Sequence, residues 1–266
     1  MHDHCMQRVT AAPPGSCRRA REYMEHSAAF YPVLVFSALM SGIAKSGMPG
    51  AGMLAAVFVP LVMPAKLSTG YVLPFLLFAD IIAVAYWRKA VVMRYIIALL
   101  PAMFLGIIVG FFLMDHIPDS VYGKVLGSVV LLLLILDAVC RYRRIRIPEN
   151  SRLFAWTMGF LAGIMTMLAN AAGPALMLYL LTMNISKEQF VGTGAWIYFA
   201  INSFKIPFSI ALGLMTPDSF TINLMLLPCV ILGSVLGVML LHKISGPLFE
   251  KIMRAMVLVG GIKLFF

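Results

Sequence analysis

Three charged side chains stand inside stretches that otherwise carry no charge, and their types point to anion chemistry. Lys205 lies within WIYFAINSFKIPF, three residues after Asn202, so the two share one helix face. Lys45 follows VLVFSALMSGIA at the edge of a glycine-rich stretch. A lysine in such a setting is costly unless its ammonium pairs or snorkels. Asp80, in FLLFADIIAVAYW, is the clearest acidic group within an apolar run, since Asp137 lies near a run's end beside Arg141. Asp80 is a candidate to carry a coupling proton, and equally a partner for Lys45, Lys205 or Arg88.

Lys45 borders one of two matching interruptions. SGMPGAG separates two short apolar runs, and LANAAGP separates two more later in the chain. Glycine lacks a Cβ and proline lacks an N–H, so a continuous helix is not expected through either. Irregular backbone at membrane depth is tolerated only against protein or a water-filled cavity, and breaks at matching places in two halves point to a transporter site. Helices starting at Gly52 and Gly173 would present unpaired N–H groups and the positive end of the helix dipole to an anion. Pro174 suits the first turn of such a helix. The candidate substrate-binding set is therefore Lys45, Ser46, Gly50, Gly52, Asn170, Gly173, Thr193, Asn202 and Lys205, with Asp80 in the coupling role and Ser203 as a further donor. No metal site or cofactor is expected.

The elements that carry these residues must be membrane helices. The chain has 266 residues, of which 61% are hydrophobic and 12% charged. Its mean hydropathy is +0.93. A soluble fold cannot bury that much apolar surface, so the expectation is an all-α polytopic membrane protein in contact with the lipid bilayer. A nucleic-acid partner is excluded although the net charge is +10, because the basic residues fall mainly between apolar runs, where they set orientation. Cys5, Cys17, Cys140 and Cys229 form neither a CxxC pair nor a metal-ligand spacing.

Ten apolar runs are legible. They cover 30–45, 52–63, 68–87, 91–114 and 120–139, then 153–169, 173–183, 189–213, 220–241 and 247–266. The second five repeat the first five. LLPAMFLGIIVGFFLMDHI from Leu99 lies over LLPCVILGSVLGVMLLHKI from Leu226, and the gapless alignment extended to Leu131 and Leu258 holds 11 identities in 33 positions. Pro101 and Pro228, Gly106 and Gly233, and Gly110 and Gly237 coincide, and upstream Gly42 aligns with Gly163 and Gly52 with Gly173. The GxxxG pairs suggest close helix packing rather than transport. Asp80 aligns with Asn202 once one inserted residue is allowed.

Loop charge suggests how the halves are oriented. The loop after the third run carries Arg88, Lys89 and Arg94, whereas its repeat partner GLMTPDS carries only Asp218. DHIPDS is acidic, and its partner HKISGP is basic. Positive loops stay cytoplasmic, so equivalent loops fall on opposite sides. That favours two inverted repeats of about five segments, the first helix pair of each short and broken. The alternative is a pair of parallel four-span halves, which would put the N-terminal arginines inside. The expected division is an N-terminal extension over 1–29, repeat 1 over 30–140, a basic cytoplasmic linker over 141–152 and repeat 2 over 153–266.

Three stretches, SGIAKSGMPGAGMLAAVFVP, FLAGIMTMLANAAGPALMLYLL and FVGTGAWIYFAINSFKIPFSIALG, resemble the sulfite exporter TauE/SafE family, also called the toluene-sulfonate uptake permease family. The resemblance runs from about Val33 to Phe266. The chain departs from the family's usual GGG, with GMPGAG in the first half and NAAGP in the second. The resemblance implies movement of sulfur-containing anions such as sulfite, a sulfonate or sulfoacetate, and the expectation is a secondary transporter of the bacterial inner membrane, with a proton on Asp80 one candidate for coupling. A homodimer is left open. The rival readings are a permease for another small carboxylate or inorganic ion, and a non-transporting membrane subunit. No Walker motif is present, so ATP drive is not encoded in this chain, and no HExxH, Ser/His or Asp/Asp pair stands within the runs, so no enzyme is expected.

Overall fold

A computed structural model describes residues 29–52, 58–116, 151–215, 217–249, 251, 252 and 255. The expectations for the N-terminal extension, for the run at 120–139 and for most of the basic linker and the last run lie outside these residues.

The described chain is helical. Helix α1 spans Phe30–Ser46, followed by a 3₁₀ turn at Pro49–Ala51 and another at Val59–Leu61. Helices α2 (Ala65–Tyr71) and α3 (Leu73–Trp87) meet at Val72, just before Pro74, and α4 spans Met93–His116. In the second half α5 is Arg152–Ala169, α6 is Gly173–Thr182 and α7 is Lys187–Ala211. Last come α8 (Pro217–Met225) and α9 (Leu227–Lys243).

Among the described residues three stretches are long and apolar enough to cross a membrane: Lys66–Trp87, Met93–Met114 and Arg152–Ala169. The pair α8 and α9 adds a fourth if counted as one bent span. The run expected over 220–241 is thus two helices, bent by 52° at Leu226. Its repeat partner α4 carries the aligned proline, Pro101, inside one continuous helix, whereas Pro228 opens α9 at its first turn. Proline is tolerated at a first turn because its missing N–H needs no partner there.

The α2–α3 junction is tied down by Asn223 of α8. Its side-chain amide donates to the Tyr71 carbonyl at 2.8 Å, and its carbonyl oxygen accepts the Phe75 N–H at 3.2 Å. Those are the backbone groups that a proline-interrupted helix leaves without partners.

The most extensive packing joins the halves. Helix α4 lies along α5, and α9 lies along α1. The duplication makes α4 the counterpart of α9 and α5 the counterpart of α1, so each half supplies the same helix to the other. The contacts repeat atom for atom. A Cβ added to Gly163 would stand 2.2 Å from the Met103 carbonyl oxygen, and one on Gly42 would stand 2.4 Å from that of Val230. A Cβ on Gly106 would stand 2.2 Å from the Phe160 oxygen, and one on Gly233 would stand 2.1 Å from that of Leu39. These backbones touch because side chains are missing, which is how membrane helices gain close dispersion contact. Gly163→Val is therefore expected to force α4 and α5 apart and cost about 1–3 kcal/mol or more. A lowered melting temperature in detergent, matched by Gly42→Val, checks this.

Helices α3 and α7, also counterparts, cross the centre and run antiparallel. Gly70, near the start of this span, packs on Leu214, just past the end of α7. Midway, Asp80 meets Asn202. At the other end Gly192 lies against the carbonyls of Trp87 and Ala90, and Thr193 accepts the Val92 N–H at 3.0 Å.

Candidate functional site

The three charged residues singled out in the sequence converge between α1, α3, α5 and α7. Asp80 of α3 and Lys205 of α7 are fully buried and Lys45 of α1 nearly so. They are the charged side chains buried among the described residues.

Asp80 is held on both oxygens. The Lys45 ammonium lies 2.8 Å from Oδ1, and the Asn202 Nδ2 donates to Oδ2 at 2.6 Å. Of the three partners open to Asp80, the structure selects Lys45; Arg88 is exposed at the far end of α3. Asp80 and Asn202 are equivalents in the duplication, and they bond to each other. The polar centre therefore draws on both halves of the sequence.

Lys45 also stands 3.6 Å from the centre of the Tyr198 ring, in cation–π geometry. Tyr198, Asn202 and Lys205 occupy positions i, i+4 and i+7 on α7, so one helix face presents all three. Tyr198 was not among the expected site residues; its spacing ahead of Asn202 is the signal that marks it. It also links the two breaks, because a Cβ on Gly173, the first residue of α6, would lie 3.6 Å from the Tyr198 hydroxyl.

Lys205 secures the second break. Its ammonium donates to the Thr166 carbonyl at 2.6 Å and to the Asn170 side-chain oxygen. Thr166 lies in the last turn of α5, where carbonyls are left over and a cation is favoured. Asn170 ends that helix in the left-handed region, with φ of 54°, a conformation that asparagine adopts more readily than most residues. Its Nδ2 donates to the Thr69 carbonyl of α2 at 2.9 Å. Two of the three donors of the Lys205 ammonium are thus used. Among the described residues no carboxylate lies within ion-pair distance of it.

The backbone is non-helical from Gly47 to Met48 and from Asn170 to Ala172, as the glycine and proline content predicts. Pro49–Ala51, which includes Gly50, is a 3₁₀ turn packed on α6. Gly52 lies against Ala44, where a Cβ would stand 3.3 Å from the Ala44 Cβ. Ser46 is buried, and its carbonyl accepts the Trp87 indole N–H at 2.8 Å. Helix α6, which begins at Gly173, is a helix of ten residues leading from the second break, and the helix expected from Gly52 falls largely on 53–57, outside the described residues. Thr193 falls elsewhere. Nine residues before Asn202, it lies about 13 Å away along α7, and its hydroxyl accepts the N–H of Val92 at the α3–α4 turn. Asn202 and Lys205 share a face as their spacing requires, but Asn202 reaches the cluster through Asp80.

The arrangement can hold an anion: two buried ammonium groups, one neutralised, beside a helix start. Residues 34–264, which include every residue of this cluster, match the sequence pattern of the sulfite exporter TauE/SafE family. The chain belongs to the sulfite exporter TauE/SafE family. No curated protein and no solved structure matches it. TauE/SafE proteins are membrane transporters of sulfite- or sulfonate-type anions, and membership together with the long apolar helices makes this chain a multi-pass membrane protein. A transporter family is consistent with the absence of catalytic motifs from the sequence. Within the TauE/SafE match the three buried charges fall one on α1, one on α3 and one on α7, so both halves contribute.

Proposed function

We propose that this chain is a secondary transporter of the bacterial inner membrane that binds a small sulfur-containing anion, sulfite or a sulfonate, beside Lys205. The observation that carries this reading is a buried ammonium with no carboxylate partner among the described residues, at the interface of two halves and next to a broken helix. A buried unpaired charge is costly unless something compensates it, and an arriving anion compensates it. The third Lys205 donor, the Tyr198 hydroxyl and the N–H groups at the start of α6 supply hydrogen bonds. Thermal-shift binding with a panel of sulfite, alkanesulfonates and carboxylates on the purified protein tests this. Stabilisation by the sulfur anions is expected, and stabilisation by the carboxylates alone would favour the rival permease.

The halves are read as inverted repeats. The antiparallel course of the counterpart helices α3 and α7 supports this, since counterparts in parallel repeats run the same way. Loop charge supports it too. Arg88 and Lys89 at the end of α3, Lys187 at the start of α7 and Lys243 at the end of α9 share one end of the bundle. There Trp87 stacks on His242, and the Lys187 ammonium donates to the Leu241 and Ile244 carbonyls at 2.8 Å. That end is assigned to the cytoplasm. Single cysteines placed at Lys89 and at Leu214 are expected to label from opposite faces of the membrane. Labelling from one face would restore the parallel four-span scheme.

A further inference from the structure

We infer that Asp80 fixes the charge of the anion the site accepts, restricting it to a single negative charge. This deepens the anion-transport reading and rests on it. Lys45, Asp80 and Lys205 make a closed set of buried charges among the described residues, and with both ammonium groups protonated they sum to one positive charge. Asp80 is a permanent member of that set. One oxygen is taken by Lys45 of α1 at 2.8 Å and the other by Asn202 of α7 at 2.6 Å. Its carboxylate cannot turn away without stranding both partners.

Lys45 is correspondingly spent, between Asp80 and the face of Tyr198. The uncompensated charge resides on Lys205. The helix ends at the second break add little, because the C-terminus of α5 and the N-terminus of α6 meet there and their opposite partial charges offset.

A monoanion at Lys205 therefore brings the buried charge of the described residues to zero. A dianion leaves one negative charge without a partner among the buried groups of the described residues, which burial penalises. The chemistry selected is a sulfonate or a hydrogen-sulfite head without a second ionised group. The second half carries neutral Asn202 where the first carries Asp80, so one carboxylate stands at the centre rather than none or two.

The test uses two ligands of one skeleton. Sulfoacetate carries two negative charges at neutral pH, and sulfoacetamide carries one. Calorimetric titration of the purified full-length chain is expected to show sulfoacetamide binding about tenfold tighter or more. Asp80→Asn raises the site to two positive charges, and the preference is expected to shift toward sulfoacetate by about tenfold or more. Equal affinities in the wild type, or an unchanged ratio in Asp80→Asn, would overturn the inference while leaving the anion site standing. If neither ligand binds the wild type, the anion reading falls and this inference with it. Should Asp80→Asn fail to purify, the wild-type preference decides alone, since the charge sum requires it without any variant.

Discussion

Lys205→Ala is expected to abolish anion binding while the protein still inserts and purifies. The ammonium it removes is the buried charge that no described carboxylate neutralises. Losing one partner of a buried, hydrogen-bonded charge pair costs about 2–5 kcal/mol, roughly 30-fold or more in affinity. The same substitution frees the Thr166 carbonyl and the Asn170 oxygen, so the second break also loosens. Lys205→Met separates the two effects, because it keeps the stem's volume and removes only the charge. Its affinity is expected to fall as far as that of Lys205→Ala, with a smaller loss of melting temperature. Lys205→Arg is not expected to restore binding, since a planar guanidinium cannot occupy the space of an ammonium enclosed by α5 and α7. An unchanged titration with Lys205→Met would make this lysine a clamp on Asn170 and nothing more.

Breaking the Lys45–Asp80 pair on one side is expected to destabilise the fold more than removing the pair. Lys45→Met leaves a fully buried carboxylate with only the Asn202 amide as partner. Leaving a buried charge without its partner costs about 3–5 kcal/mol. The double variant Lys45→Met with Asp80→Asn leaves two neutral groups of nearly the same volume, and replacement of a buried ion pair as a unit is often close to neutral. Thermal melts of the two singles and the double form a cycle, and the double is expected to melt well above Lys45→Met. If the double melts no higher than Lys45→Met, the two side chains act independently and the 2.8 Å contact is not what holds α1 to α3 here.

The chemical alphabet of the site was readable because charge, glycine and proline are conspicuous against apolar helices. Lys45, Asp80 and Lys205 stood out on that ground, and the duplication aligned Asp80 with Asn202 before any geometry was known. Pairing was not readable. Asp80 had three candidate cations, and the choice of Lys45 depends on α1 lying against α3, a tertiary contact that no local spacing encodes. Tyr198 was hidden for a different reason. An aromatic residue in an aromatic-rich helix carries no signal of its own, and only its i+4 relation to Asn202 marks it. Thr193 was polar in the right helix but two and a half turns from the cluster, and its hydroxyl went to the Val92 N–H. The bend at Leu226 could not be foreseen because Pro101 and Pro228 align, while only the second half breaks its helix beside the proline.

In the proposed function a buried, singly positive centre between the two halves carries a sulfur anion across the membrane. Counterflow measures this most directly. Proteoliposomes holding the purified chain are loaded with unlabelled sulfite or an alkanesulfonate and diluted into a trace of the labelled anion. The wild type is expected to accumulate label transiently, and Lys205→Ala vesicles are expected to match empty ones. Accumulation no greater than in empty vesicles for every sulfur anion tried, or equal counterflow by Lys205→Ala, would contradict the account.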